Sequence, residues 1–196
     1  MISAHHKRYV LLERDGVINR RGRCGAFKSW DQFEFLPRAL DALRLLADNG
    51  CITLVVSTRP AMSQRGLLQK NGDAITRRML LEVALAGGNI ANVYYCSHAP
   101  AEFCHCHKPR SGLLVRAQLE HRFAFEDTFL VSDSVPGLHA AETLGSPGIL
   151  IRREAFLQNR GDRNESPIVA SDLYEAVEMI LAGHCPQLQE SAALAF

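Results

Sequence analysis

The sequence has almost no net charge, no long apolar run and no internal repeat. Its 22 basic and 21 acidic residues give a formal charge of +1, which offers little attraction to nucleic acid or to an anionic membrane surface. No stretch approaches the ~18 to 20 apolar residues of a membrane span, and residues 1–7 lack the apolar core of a signal peptide. We therefore expect a cytoplasmic protein that binds neither nucleic acid nor membrane.

Short apolar runs alternate along the chain with segments of helical periodicity. The runs that predict strands cover residues 10–12, 52–56, 93–95, 129–131 and 149–151. The segments that predict helices cover residues 36–47, 75–85, 113–123, 138–144 and 172–181. Pro37 suits the first position of the first helix, and the turn-rich segment 159–167 predicts a surface loop.

This alternation predicts the fold class. Strands joined by helices form right-handed βαβ crossovers, and nearly continuous apolar strands are typical of a parallel sheet covered on both faces. We expect an α/β fold with a Rossmann-like parallel sheet and helices on both faces. With 196 residues, 47% of them hydrophobic, the chain can bury one substantial core. We expect a single domain over residues 1–183 and a loosely held tail at residues 184–196.

A cluster of cysteine and histidine follows the third predicted strand. Its members, all between residues 96 and 106, are Cys96, His98, Cys104 and Cys106. Thiolate and imidazole are ligands that tetrahedral Zn²⁺ prefers, and four protein ligands leave no open position for a catalytic water. The cluster predicts a structural zinc site that fixes an inserted loop, residues 96–106. Unliganded thiols, a disulfide from Cys96, and His105 or His107 as the imidazole ligand are the alternatives.

Polar side chains follow four successive predicted strands. Glu13 and Asp15 follow the first strand, with Gly16 beside them to let the backbone turn. The next three strands are followed, in order, by Thr58, Lys108 and Asp133. Ligands of parallel α/β sheets bind beyond the carboxyl ends of the strands, so we expect these groups to form one site.

These motifs resemble those of the haloacid dehalogenase superfamily of phosphatases. Within it, the sequence is most similar to the heptose 1,7-bisphosphate phosphatases and the related histidinol-phosphate phosphatases, from about residue 9 to residue 151. The matching segments are 15–19 (DGVIN), 33–37 (FEFLP), 54–58 (LVVST), 106–109 (CHKP) and 131–133 (VSD). The VIN ending and the FEFLP segment favour the heptose branch.

The resemblance implies a role for each matching residue. The carboxylate at position 13 attacks phosphorus and becomes the acyl phosphate, and Asp15 serves as general acid and base. Mg²⁺ is held by Glu13, the backbone carbonyl of Asp15 and Asp133. The implied phosphate- and substrate-binding positions are occupied by Thr58, Arg59, His107 and Lys108. The fold is implied to carry a minimal cap, with the zinc loop shaping the substrate entrance.

Several positions depart from the family pattern. Glu13 stands where the family has its nucleophilic aspartate, and the added methylene displaces the attacking oxygen by roughly 1 Å. Asparagine, glutamine, arginine, lysine and an acidic residue are replaced, in that order, by Arg59, Pro60, His107, Ser134 and Gly137. The loop after the first motif contains three arginines that we expect to be solvated: Arg20, Arg21 and Arg23.

Two hypotheses follow from these departures. The first is a monomeric, phosphatase-like protein whose heptose-bisphosphatase activity is weak or lost, and which still binds a phosphorylated sugar or a protein partner. The alternative is an active, Mg²⁺-dependent phosphatase on a sugar phosphate, with Glu13 as a longer nucleophile and Arg59 as a phosphate ligand. A zinc module for nucleic acid is disfavoured by the balanced charge.

Overall fold

The computed structural model describes residues 7–22, 27, 29–58, 67–96, 98, 102–152 and 167–183. The strands in these residues are β1 (Tyr9–Leu12), β2 (Ile52–Thr58), β3 (Asn92–Cys96), β4 (Phe129–Ser132), β5 (Gly148–Ile151) and β6 (Ile168–Ala170). The helices are α1 (Ala39–Asp48), α2 (Leu67–Leu85), α3 (Gly112–His121), α4 (Val135–Glu142) and α5 (Leu173–Leu181). A short 3₁₀ helix covers Trp30–Gln32.

The six strands form one parallel sheet in the order β3-β2-β1-β4-β5-β6. β1 lies between the two halves of the sheet, with Leu12 paired to Val55 of β2 and to Val131 of β4. The order of the strands reverses at β1, and in doubly wound sheets the crevice at such a reversal is where ligands bind. A ligand site is therefore expected beyond the carboxyl ends of β1 and β4.

Helices cover both faces of the sheet, and the side chains of β1 alternate between the two faces. Val10 and Leu12 belong to an apolar cluster with residues of α1 and α5. Leu11 belongs to a second cluster with residues of α3 and α4. All residues of β1 are buried, which explains why its sequence is continuously apolar. The predicted fold class is confirmed.

Three helices start at least two residues away from their predicted starts, and one strand is not predicted from the sequence. α1 begins at Ala39 and not at Pro37, because Arg38 has a left-handed φ of 60° that is incompatible with helix. α2 begins at Leu67, well before residue 75, and α4 begins at Val135, before residue 138. Proline is tolerated in the first turn of a helix, so Pro136 does not delay the start of α4. β6 is a three-residue strand that the apolar pattern does not predict.

Parts of the predicted loop and tail, residues 159–166 and 184–196, lie outside the described residues. Among the described helices, none combines the length and the apolar character that crossing a bilayer requires.

Candidate functional site

Glu13 lies directly beyond β1, at the reversal of strand order. Its backbone N–H donates to the carbonyl of Val131 at 3.0 Å, which extends the pairing of β1 with β4 by one residue. Glu13 is 3% exposed, and Lys108 Nζ donates to its Oε1 at 2.5 Å. Burial raises the pKa of Glu13, and the charge and hydrogen bond of Lys108 offset only part of this effect. Glu13 and Lys108 form a largely buried ion pair.

Gly137, in the first turn of α4, provides the space for this carboxylate. A Cβ on residue 137 would overlap both Glu13 Oε1 and the hydroxyl oxygen of Ser132. Ser132 is fully buried, and the Glu13 carboxylate is tied to Lys108, so neither group can move aside cheaply. The longer acid at position 13 and the glycine at position 137 are therefore complementary in shape.

Lys108 connects the loop after β3 to the turn after β4. Besides its bond to Glu13, its Nζ donates to Ser134 Oγ at 3.2 Å. Ser134 is fixed in turn, because its backbone N–H donates to Ser132 Oγ at 3.0 Å. The structure thus brings Lys108 and Glu13 together as the sequence predicts. Ser134 accepts a hydrogen bond at the position where the family supplies a second cation.

Asp15 is engaged by two neighbours from its own segment. Arg14 donates to it from Nε at 2.9 Å and from Nη2 at 2.8 Å, and Asn19 Nδ2 donates at 2.9 Å. Arg14 is 2% exposed, with its guanidinium carbon 5.4 Å from the centre of the Phe27 ring. Because a buried guanidinium requires a partner, Arg14 fixes the orientation of the Asp15 carboxylate.

Asp133 forms a bidentate pair with Arg21. Arg21 Nε donates to Asp133 Oδ2 at 2.7 Å, and Arg21 Nη2 donates to Oδ1 at 2.6 Å. The hydrogen bond to Asp133 raises the pKa of Arg21, and the charges of Glu13 and Asp15 act in the same direction. The expectation that Arg21 is solvated holds for much of its side chain, which is 61% exposed, but its guanidinium is also paired with Asp133. Its side chain is drawn into the acidic cluster by a carboxylate that lies 112 positions away in the sequence.

The other two arginines of this loop have different positions. Arg20 is about half exposed and pairs with Glu34 at 2.7 Å, so it forms a surface ion pair. Arg23 lies outside the described residues.

Only some of the predicted phosphate-binding residues lie near Glu13. Thr58, the last residue of β2, lines a small cavity of about 20 Å³ together with Glu13 and Lys108. His107 Nδ1 lies 3.0 Å from the backbone carbonyl oxygen of Lys108. Arg59 lies outside the described residues. Lys108 is thus the predicted ligand whose contact with Glu13 is direct.

A larger cavity of about 560 Å³ lies beside Asp133. Its lining includes Gly16, Asp133 and three arginines, Arg20, Arg21 and Arg152. This volume falls within the range of roughly 300 to 1,000 Å³ that is typical of small-molecule sites. Its size and basic lining suit an anionic ligand of sugar size.

The cysteine and histidine cluster at the end of β3 converges on one point. The ligand atoms of all four residues lie within 4.8 Å of one another. Sγ of Cys96 lies 3.6 Å from Sγ of Cys104 and 3.6 Å from Nδ1 of His98, and Cys106 Sγ lies 3.1 Å from the same nitrogen. Ligands of a tetrahedral zinc ion are separated by roughly 3.5 to 3.8 Å, which follows from metal–ligand bonds of about 2.0 to 2.3 Å. The cluster can therefore hold a metal ion.

Two of the alternatives for this cluster differ from the geometry of the structure. Cys96, Cys104 and Cys106 are free thiols, so the disulfide is not formed. The imidazole that meets them belongs to His98, whereas His105 and His107 lie outside the group.

Known phosphatases match most of the chain. The D-glycero-beta-D-manno-heptose-1,7-bisphosphate 7-phosphatase of Pseudomonas putida is 31% identical over 144 residues, which cover 73% of this chain and 81% of that protein. The chain belongs to the heptose-bisphosphate phosphatase family of the haloacid dehalogenase superfamily. The protein of the same name from Pseudomonas aeruginosa is 26% identical over 174 residues, covering 88% of this chain and 97% of that one. No protein-family model matches.

A solved structure agrees with this membership of the heptose-bisphosphate phosphatase family. The crystal structure of D,D-heptose 1.7-bisphosphate phosphatase from B. bronchiseptica, complexed with magnesium and phosphate, gives a TM-score of 0.81 at 26% identity. The match covers 90% of this chain and 99% of that one. The predicted family is therefore confirmed.

Some residues that shape this heptose-bisphosphatase-like site are not evident from the sequence motifs. Arg14 is not among the predicted site residues, although it is the main partner of Asp15. Arg21 contacts Asp133, and Gly137 leaves the space that the Glu13 side chain occupies. Both arrangements depend on the tertiary fold. The sequence contains one sign of the role of Gly137: a glycine replaces the family's acidic residue in the same chain in which a longer acid replaces the aspartate at position 13.

Proposed function

We propose that this chain binds a phosphorylated sugar in the manner of its family but hydrolyses the phosphate ester weakly or not at all. The observation that carries the proposal is the position of Glu13. Its carboxylate is buried in the slot over Gly137 and bonded to Lys108 at 2.5 Å. The acid that stands at the nucleophile position is thus longer than the family's and is held by its packing.

The expected loss of rate can be built from two effects. A displacement of the attacking oxygen by roughly 1 Å can cost about 10²-fold. The absence of a cationic donor at Ser134 removes electrostatic stabilisation, which in other enzymes costs about 10² to 10³. The two together predict a reduction of about 10⁴ to 10⁵, and the hydrolysis of phosphate monoesters is so slow without catalysis that residual turnover stays measurable.

Binding depends on groups other than Glu13 and Ser134. We propose that Thr58, Arg59, His107 and Lys108 contribute to phosphate and substrate binding, with Asp15 in the general acid and base position. The arginine-lined cavity beside Asp133 adds further cationic groups to this set, because guanidinium groups bind phosphate in bidentate fashion.

We propose two metal sites. The group formed by Cys96, His98, Cys104 and Cys106 would hold a structural Zn²⁺, because three sulfurs and one nitrogen match its preferred ligands and complete its coordination. Glu13, the Asp15 carbonyl and Asp133 are oxygen donors that suit Mg²⁺ in chemistry. When bound there, Mg²⁺ supplies positive charge to the oxygens of a phosphoryl group.

Hydrolysis is tested by phosphate release from heptose 1,7-bisphosphate and a panel of sugar phosphates. Wild type, Glu13→Asp and Glu13→Gln are compared at equal concentration with Mg²⁺ present. We expect wild-type turnover far below the usual 1 to 10³ per second, and a gain of about 10²-fold in Glu13→Asp. Wild-type turnover near 1 to 10² per second that vanishes in Glu13→Gln would instead establish the alternative, an active phosphatase with a glutamate nucleophile.

Retained binding is measured separately by calorimetric titration of wild type with the same sugar phosphates. Saturable heat with at least one phosphosugar supports the proposal. No binding of any member, together with no hydrolysis, contradicts it.

A further inference from the structure

The acidic cluster at the ends of β1 and β4 is already neutralised by side chains. It contains Glu13, Asp15 and Asp133, and each carboxylate has a cationic partner at hydrogen-bonding distance. The partners, in the same order, are Lys108, Arg14 and Arg21. Three negative charges are therefore matched by three positive ones before any metal ion is considered.

A divalent cation that joins this cluster meets an excess of positive charge. In a partly buried cluster that repulsion is poorly screened, so one of the three cations has to leave. Arg14 is 2% exposed and Lys108 is 21% exposed, whereas the side chain of Arg21 is 61% exposed. Arg21 is thus the partner that loses the least packing when it moves, and the cavity of about 560 Å³ at its side offers room for it.

We propose that Arg21 is a built-in competitor of Mg²⁺ at Asp133. Its guanidinium bonds to both Asp133 oxygens, at 2.7 and 2.6 Å, and so occupies one lone pair of each oxygen and the space beside them that a metal ion would take. Gly16 allows this carboxylate to lie against the backbone turn, since a Cβ there would overlap Asp133 Oδ2. The competition sets the metal affinity of the site. The inference rests on the proposed function only in taking these carboxylates as cation ligands.

The test is direct calorimetric titration of the full chain with MgCl₂, in the absence of any phosphate ester. Wild type is compared with Arg21→Ala and with Arg20→Ala, a neighbouring arginine that pairs with Glu34 at the surface. We expect Arg21→Ala to bind Mg²⁺ about 2- to 5-fold more tightly than wild type, which corresponds to the release of a partly exposed ion pair. Arg20→Ala is expected to match wild type.

Further variants assign the binding to this cluster. Adding Asp133→Asn to Arg21→Ala is expected to abolish the gain, and circular dichroism melting checks that each variant is folded. Equal Mg²⁺ affinity of wild type and Arg21→Ala overturns the proposal, as does the absence of Mg²⁺ binding in Arg21→Ala. A gain of the same size in Arg20→Ala also overturns it, because the effect would then be one of net charge. Hydrolysis plays no part in this readout, so weak activity and weak metal binding are distinguished.

Discussion

Replacing Gly137 by alanine tests whether Glu13 and residue 137 share one space. In an ordinary helix this change is stabilising by about 1 kcal/mol, because alanine is the better helix former. Here the new methyl group overlaps Glu13 Oε1 and Ser132 Oγ and lies 3.0 Å from Ser132 Cβ. Overpacking a dense core costs about 1 to 3 kcal/mol, and weakening the bond to Lys108 adds to that. We expect Gly137→Ala to destabilise the protein by about 1 to 3 kcal/mol.

The contribution of Glu13 is isolated by a double-mutant cycle. In the Glu13→Asp background the shorter acid withdraws from the slot, whereas the overlap with Ser132 is unchanged and cancels. We expect Gly137→Ala to cost about 1 to 2 kcal/mol less in that background than in wild type. Free energies of unfolding are measured by urea denaturation followed by circular dichroism. The comparison requires that the unfolding free energy depend on urea concentration with the same slope in all four proteins. Additivity within about 0.5 kcal/mol would refute the shared space.

Two further predictions concern the pKa of Glu13 and the metal cluster. Burial raises the pKa of Glu13 above its ordinary value of 4.5, so its contribution to stability is full below pH 4.5 and is lost as the pH rises through the native pKa. Measured by urea denaturation across pH, Glu13→Gln therefore gains stability relative to wild type above pH 4.5, and a relative loss would contradict the shift. Cys104→Ser is expected to lose bound zinc and to melt at a lower temperature. His105→Gln, which lies outside the cluster, is expected to keep the zinc content and the melting temperature of wild type; metal analysis and thermal melting measure the two quantities. Equal zinc content in the two variants would exclude Cys104 as a ligand.

The sheet and the strand-end groups could be predicted because they depend on local patterns. β1 and β4 are buried on both faces, so their sequences are continuously apolar and easy to recognise. Parallel pairing then brings the residues after each strand to one edge, which is why Glu13 and Lys108 meet.

The contacts that alter the site could not be predicted in the same way. The pair between Arg21 and Asp133 depends on how the loop after β1 folds back over the sheet, and no periodicity describes that path. The start of α1 depends on the left-handed backbone of Arg38, a residue type that gives no sign of this conformation. For Gly137 the departure from the family pattern is the only signal, since a glycine in a helix does not indicate which side chain fills its space.

The fit between Glu13 and Gly137 also constrains the evolutionary path to this sequence. The family pattern has aspartate at position 13 and an acidic residue at position 137. An ancestor that gained glutamate first would have had to place it where a side chain already stood, whereas an ancestor that gained glycine first would have kept a working geometry and a small void. The intermediate to look for among relatives thus combines aspartate at 13 with glycine at 137, and the opposite combination should be rare.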